Sequence, residues 1–271
     1  MEGSLVLEDG TIIRGSFFGF SKTSFGELVF NTNMTGYTEA LTDPSYRGQI
    51  LLMTYPLIGN YGVDPAWMES DEIQVTGFVV KEACAAPSHA RSQQPLDPFL
   101  RDHGVPALQG ADTRALTIRI RSQGTMKAAL VPEGEDLHAA AREVEAMPYP
   151  DRRNLVAEVS CHRSIRYPGT GKRCLVVIDC GVKRNILREA QRFADVIQVP
   201  WDTSADEILA LKPSGVIVSN GPGDPAHSDL VRKTVPTVRE LADRVPVLGI
   251  CLGHQILALA FGGETFKLKF G

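Results

Sequence analysis

The chain has 271 residues, of which 43% are hydrophobic and 22% are charged, and its formal net charge is -4. This composition is typical of a globular protein with a substantial core, and the length allows one large domain or two ordinary ones. The small negative charge gives no electrostatic reason to expect nucleic acid or an anionic membrane as a partner. The first residues lack the pattern of a secretion signal, and no apolar run reaches the roughly 18–20 residues that span a bilayer. We therefore expect a cytoplasmic protein.

The cysteines suggest neither a disulfide framework nor a metal site, because their number is odd and their spacing fits no common ligand pattern. The five are scattered over the chain, at Cys84, Cys161, Cys174, Cys180 and Cys251. We expect reduced and mostly buried thiols, with no metal and no cofactor on this chain. The context of Cys251 makes it the exception.

Residues 1–150 predict a mixed β and α domain. Apolar residues on both sides of a turn at Gly10 indicate a hairpin over Leu5–Phe18. Further apolar, β-branched runs predict strands, at Glu27–Asn31, Gln49–Tyr55, Gly77–Lys81 and Met126–Val131. Two helical patterns lie among them, one from the cap candidate Asp112 to Gly124 and one over Glu135–Ala146.

Residues 151–171 lose this periodicity and gain Pro, Gly and Arg, so we interpret them as an interdomain connection. Residues 172–271 then alternate between short apolar strands and helices. The predicted strands are Arg173–Asp179, Val196–Pro200, Gly215–Ser219, Val245–Ile250 and Glu264–Phe270. Regular β–α alternation predicts a parallel sheet covered by helices, with its binding crevice beyond the carboxyl ends of the strands.

One of these strand ends carries a candidate nucleophile. The strand Val245–Ile250 is followed by Cys251 and then by a helical pattern, which is the order of a nucleophile elbow. Gly249 and Gly253 flank the cysteine, where larger side chains would collide across a tight turn. The helix N-terminus favours a thiolate, and the N–H of Leu252 is a candidate for an oxyanion hole. Gln255, four residues after the cysteine, lies on the same helix face and is a candidate substrate contact.

A second strand end predicts a rigid loop with exposed amides, because two glycines and two prolines follow the strand Gly215–Ser219. Such a loop can bind a carboxylate or supply a second oxyanion N–H, although alone it is also compatible with an ordinary turn. Its sequence Ser-Asn-Gly-Pro-Gly-Asp-Pro (219–225) and the sequence Gly-Ile-Cys-Leu-Gly-His-Gln (249–255) resemble the two signature loops of class I glutamine amidotransferases. The resemblance implies that Cys251 attacks the side-chain amide of glutamine and forms a thioester.

The N-terminal half narrows the resemblance. Four segments are similar to the small-subunit family of carbamoyl-phosphate synthase: residues 30–46, 52–62, 112–117 and 179–187. This resemblance implies an α/β protein, in which a mixed N-terminal domain precedes a parallel-sheet amidotransferase domain. It also implies an oxyanion hole at Gly223 and Leu252, and glutamine contacts from a set of residues comprising Ser45, Gly221, Gly223, Leu252 and Gln255.

The same resemblance implies a large-subunit partner that binds ATP and Mg²⁺ and forms carbamoyl phosphate for arginine and pyrimidine synthesis. The family completes its cysteine with a downstream His-x-Glu pair, which this sequence lacks. His254 is the histidine nearest to Cys251 in sequence, and its helix position favours a structural role. We therefore expect a C-terminally truncated chain that is catalytically incomplete alone. The alternatives are another class I amidotransferase and a non-catalytic assembly module.

Overall fold

The structure is a computed structural model that describes residues 1–171 and 173–269. These residues form two compact units, which are described separately below. The first comprises Met1–Pro150 and the described residues from Lys267 onward, and the second comprises Asp151–Phe266. None of the described helices combines the length and the apolar character needed to cross a membrane.

The first unit is built around a closed sheet of seven strands in the order β1-β2-β8-β6-β4-β3-β9. Its strands are β1 Glu2–Leu7, β2 Ile12–Gly19, β3 Ser24–Asn31, β4 Gln49–Met53, β5 Leu57–Ile58, β6 Gly77–Val80, β7 Glu82–Ala83, β8 Pro106–Gln109 and β9 Met126–Pro132. Its helices are α1 Tyr37–Thr42, α2 Leu96–Asp102, α3 Thr113–Gln123 and α4 Leu137–Ala146. The short strands β5 and β7 pair with each other outside the closed sheet.

Five strands of this sheet, β1, β4, β6, β8 and β9, are buried along almost their whole length, which explains their apolar runs, whereas β2 is exposed or half-buried at most positions. Along β4, Ile50 and Leu52 join one hydrophobic cluster, whereas Leu51 and Met53 join another. Because successive side chains of a strand point to opposite faces, each face of β4 needs its own apolar set. The predicted hairpin is confirmed, since β1 and β2 pair antiparallel with Leu5 opposite Ile13. The helix predicted after Asp112 is also confirmed.

The second unit contains a five-stranded sheet in the order β10-β12-β11-β13-β14. Its strands are β10 Ile165–Tyr167, β11 Cys174–Asp179, β12 Asp195–Pro200, β13 Gly215–Val218 and β14 Val247–Gly249. Its helices are α5 Leu155–Val159, α6 Arg184–Gln191, α7 Ala205–Ala210, α8 Ser228–Arg232, α9 Thr234–Ala242 and α10 Leu252–Ala260. The ladders from β12 through β11 and β13 to β14 are parallel, as the β–α alternation predicts.

Two apolar clusters lie on opposite faces of this sheet. Val176 and Ile178 of β11 contribute to one cluster, whereas Val177 contributes to the other. The same alternation holds on β13, where Ile217 packs apart from its neighbours Val216 and Val218. Helices cover both faces of parallel sheets, so strands of this kind carry apolar residues at every position.

Two segments differ from the pattern inferred from sequence. Residues 151–171, interpreted there as a connection, carry the helix α5 and the strand β10, and β10 pairs antiparallel with β12. Residues 264–269 have no regular secondary structure, although a strand is predicted over Glu264–Phe270; Phe270 lies outside the described residues. Short elements without periodicity, such as α2 and β8, were also not predicted. Pro106 opens β8 at the one strand position that tolerates proline readily.

Candidate active site

Three parallel strands of the second unit end side by side. β13 pairs with β11 on one side, with Val218 opposite Ile178, and with β14 on the other, with Val218 opposite Gly249. The residues that follow these strands therefore share one edge of the sheet, where α/β proteins place their binding crevice. Cys251 follows β14 after a single intervening residue, Ile250.

Cys251 occupies a strained turn between β14 and α10. Its backbone angles are φ 52° and ψ -109°, and among the described residues only Lys212 shares a positive φ without being glycine. Residues other than glycine rarely adopt these backbone angles, and such backbone strain is concentrated at functional positions. The residue is exposed, and it stands directly before the first residue of α10, Leu252. The backbone thus presents the thiol to solvent at a helix N-terminus.

The glycines on either side of the cysteine are required by close packing. A Cβ atom on Gly249 would lie 2.5 Å from the carbonyl oxygen of Gly253. A Cβ atom on Gly253 would lie 2.1 Å from the carbonyl oxygen of Val218 on the neighbouring strand. Both contacts are with backbone atoms, which cannot rotate away. The interpretation of these two glycines as necessary for a tight turn is confirmed.

The loop after β13 is bound to the turn that holds the cysteine. The N–H of Gly253 donates to the carbonyl oxygen of Ser219 at 3.0 Å. A Cβ atom on Gly221 would lie 1.9 Å from the carbonyl oxygen of Cys180 and 3.0 Å from Cδ2 of Leu252. The structure thus brings Gly221 beside the predicted oxyanion residue Leu252. Gly223 lies farther along the same loop, with a φ of +85° that favours glycine.

Sequence reasoning assigned no role to Asp179, which holds the end of β11. Its carboxylate is 2% exposed and accepts four hydrogen bonds. Oδ1 accepts the N–H groups of Gly181 (2.9 Å) and Val182 (2.8 Å). Oδ2 accepts the N–H of Cys161 (2.7 Å) and the side-chain amide of Gln198 (2.6 Å). In the sequence, Asp179 is visible only as an acidic residue at the end of an apolar strand, which does not identify its hydrogen-bond partners.

The loop that Asp179 organises also supports the loop after β13. The N–H of Cys180 donates to the hydroxyl of Ser219 at 2.9 Å. The N–H of Lys183 donates to the side-chain oxygen of Asn220 at 3.2 Å. Hydrogen bonds therefore connect the three strand ends, from the loop after Asp179 through Ser219 to the turn that holds Cys251.

Replacing Asp179 by Asn is expected to destabilise the protein by about 2–4 kcal/mol, because an amide nitrogen would then face a buried backbone N–H group. The free energy of unfolding in urea measures this change. Asp206→Asn, on the exposed face of α7, is the matched control and is expected to change stability by less than about 0.5 kcal/mol. Equal stability of the two variants would contradict the role given to Asp179.

The thiols nearest to this network differ from Cys251 in their surroundings. Cys180 is fully buried, and this burial raises the pKa of its thiol strongly. Burial, followed by the nearby Asp179 carboxylate, raises the pKa of Cys161 to about 12. Both therefore remain protonated near neutral pH, and thiols of this kind react slowly. The exposed Cys251 is the thiol that the strand ends present.

The remaining predicted residues are placed as follows. Gln255 is exposed on the first turn of α10, and its N–H donates to the carbonyl oxygen of Cys251 at 3.2 Å. His254 is also exposed on this helix. Ser45 belongs to the first unit, in the 3-10 turn Pro44–Tyr46, where its N–H donates to Oδ1 of Asp43 at 2.9 Å. The glutamine contacts assigned to these residues stay predictions.

No group of three or more potential metal ligands occurs among the residues that the structure describes. Within the same residues, Cys251 makes no hydrogen bond or ion pair with a histidine or a carboxylate. The geometry therefore presents an exposed thiol together with the backbone around it.

Each of the two units matches a known protein family. The family described as glutamine amidotransferase class-I matches residues 176–271, which contain the strand ends and Cys251. The second unit is thus an amidotransferase domain with a parallel sheet. The family described as carbamoyl-phosphate synthase small chain, CPSase domain, matches residues 5–130.

Similar full-length proteins extend this agreement to the whole chain. The carbamoyl phosphate synthase small chain of Methanopyrus kandleri is 55% identical, and that of Archaeoglobus fulgidus is 48% identical. A pyrimidine-specific small chain from Halalkalibacterium halodurans is 47% identical. Each alignment covers 100% of this chain and 74–75% of the relative. The chain belongs to the carbamoyl phosphate synthase small-chain family.

Proposed function

We propose that the chain hydrolyses glutamine through Cys251 and delivers the ammonia to a synthetase large chain. The observation that carries this proposal is the exposed cysteine at φ 52° between β14 and α10, in a chain of the small-chain family. An exposed thiol at a helix N-terminus is the arrangement of an activated nucleophile.

The proposed reaction has two steps. The sulfur of Cys251 attacks the side-chain amide carbon of glutamine, and a C–S bond forms. The C–N bond then breaks, and the amide nitrogen takes up the proton that the thiol has lost and leaves as ammonia. Water then attacks the thioester, which releases glutamate and restores the thiol. Negative charge develops on the carbonyl oxygen in both steps, and backbone N–H groups stabilise such charge. We assign this role to the N–H groups of Leu252 and Gly223.

Substrate contacts are proposed for the loop after β13 and for α10. Gly221 lies against Leu252, and Gln255 stands on the first helical turn, so both are close in the chain or in space to the turn of Cys251. Ser45 is proposed as a further glutamine contact on the basis of the family resemblance alone.

The partner proposed for this chain is the large chain that the family name 'small chain' implies, and the ATP and Mg²⁺ chemistry is assigned to that partner. The first unit supports this division. The family match to residues 5–130 identifies a conserved domain that lies outside the amidotransferase domain, and we propose that this domain contacts the large chain.

Co-expression with a large chain is expected to give one complex on size-exclusion chromatography. Glutamine-dependent synthesis of carbamoyl phosphate is expected where a general acid-base completes the site of Cys251. Ammonia supplied directly provides the control, because it bypasses the glutaminase and should support synthesis by the large chain alone. Separate elution of two folded chains at micromolar concentration would contradict the proposed partnership. In a complex whose site includes a general acid-base, synthesis from ammonia but never from glutamine would contradict the proposed glutaminase.

A further inference from the structure

The first unit contains a pocket that the amidotransferase chemistry does not use. It has a volume of about 280 Å³ and opens to solvent. It lies beside α1, and its lining consists of Thr35, Gly36, Glu39, Tyr61, Trp67 and His89. Three aromatic rings and one carboxylate thus surround a space of the size of a small organic group.

The aromatic walls are held in fixed positions. The Tyr61 oxygen accepts the N–H groups of Gly36 (2.6 Å) and Tyr37 (3.2 Å), and its ring stacks on Tyr37 at a centroid distance of 4.3 Å. Trp67 meets Tyr61 edge-on at 5.5 Å and His89 at 5.7 Å. Three rings in mutual contact form a preorganised wall, and the faces of tyrosine and tryptophan rings attract cations.

Glu39 provides the negative charge of the pocket and lacks a partner for one oxygen. Its Oε2 atom is buried and accepts no hydrogen bond from the residues that the structure describes. Burial raises the pKa of this carboxyl, and the charge of Glu69 raises it further. The Glu39 side chain as a whole is half-buried and lines the pocket, so a cation in the pocket would lie beside its carboxylate.

A cationic side chain that lies over one of these rings, Arg91, is already engaged. The guanidinium of Arg91 lies 5.2 Å from the Trp67 ring centroid, and its Nη2 atom is 2.6 Å from Oδ2 of Asp64. Asp64 is buried and so neutralises Arg91 at short range. Arg91 demonstrates that the Trp67 ring accepts a guanidinium, and it leaves the Glu39 carboxylate uncompensated.

We propose that this pocket binds the ammonium or guanidinium group of an organic cation, with Glu39 as its counter-ion and the rings of Tyr61, Trp67 and His89 as its walls. A bare metal ion fits the pocket less well, because Glu39 and His89 are its only lining residues with metal-ligating side chains of the His, Cys, Asp and Glu type. The cationic group can belong either to a free small molecule or to a side chain of a partner protein.

Nuclear magnetic resonance of the isotope-labelled chain tests the site, since the sequence has two tryptophans and Trp67→Phe assigns their indole signals. Ethylguanidinium is expected to shift the Trp67 signal saturably and to leave Trp201 unchanged. Ethylurea, its neutral isostere, is expected to bind at least about tenfold more weakly. Glu39→Gln should weaken ethylguanidinium by about tenfold or more, whereas Glu143→Gln, exposed on α4, should not.

Equal binding of ethylguanidinium and ethylurea would overturn the proposal. So would an unchanged affinity in Glu39→Gln, or the absence of any saturable shift of the Trp67 signal. If Glu39→Gln does not fold, Glu39→Asp, which retains the charge but withdraws it by one methylene, is expected to bind several-fold more weakly than the wild type.

Addition of the large chain separates the two sources. A Trp67 signal that shifts on complex formation, and that ethylguanidinium displaces competitively, assigns the cation to a partner side chain. A Trp67 signal that stays unchanged and titratable in the complex assigns it to a free ligand. Because the titration of the isolated chain requires no glutaminase activity, it stands or fails independently of the proposed function.

Discussion

Where a general acid-base completes the site, replacing Cys251 by Ala is expected to lower glutamine-dependent activity by at least about 10⁴-fold, because removal of a covalent nucleophile eliminates the thioester route. The substitution should have little effect on stability, since the side chain is exposed. The measurement is glutamate release by the complex with the large chain, compared with synthesis from ammonia. Synthesis from ammonia is expected to persist in the variant, which separates loss of the glutaminase from loss of the complex.

Covalent labelling gives a second readout of the same residue. An electrophilic glutamine analogue should modify the wild type at Cys251 and leave Cys251→Ser unmodified. Cys161 and Cys180 act as internal controls, because burial raises the pKa of both thiols. At pH 7–8 a thiol with a raised pKa stays protonated, so these two should become reactive only as pH rises toward their pKa values. Equal labelling of wild type and Cys251→Ser would reject Cys251 as the nucleophile.

Periodicity predicted the architecture of the second unit well because its physical causes are local. Strands buried on both faces need continuous apolar runs, and β11 and β13 have them. The turn at Cys251 was also predictable, since Gly249 and Gly253 report a steric requirement that the structure shows as backbone contacts. Residue types that a close contact demands leave a direct trace in the sequence.

The closure of the first sheet could not be predicted from the sequence. Its ladders join distant segments, such as β1 with β9 and β2 with β8, and the pairing of strands far apart in sequence cannot be inferred from local pattern. The Asp179 network was missed for the same reason. Its donors come from Cys161 and Gln198 as well as from its own loop, and only the folded chain brings them to one carboxylate.

Replacing Gly253 by Ala is expected to destabilise the protein by at least about 3 kcal/mol and to abolish glutamine hydrolysis. The new Cβ atom would lie 2.1 Å from the carbonyl oxygen of Val218 and 2.6 Å from its carbonyl carbon. Both are backbone atoms of the strand β13, which is paired on both sides, so relief requires α10 to move away from the sheet. That movement would displace Cys251 and break the hydrogen bond from the Gly253 N–H to Ser219.

Gly215→Ala is the matched control, because it places the same substitution at the start of β13 without the collision. Its Cβ atom would meet Leu175 Cδ2 and the Pro246 carbonyl oxygen at 3.4 Å, which is ordinary contact. Its φ does not require glycine, so we expect a change in stability within about 1 kcal/mol. Urea unfolding of both variants measures the difference. A Gly253→Ala protein as stable and active as Gly215→Ala would show that α10 can move without cost, and that the elbow is not held by this contact.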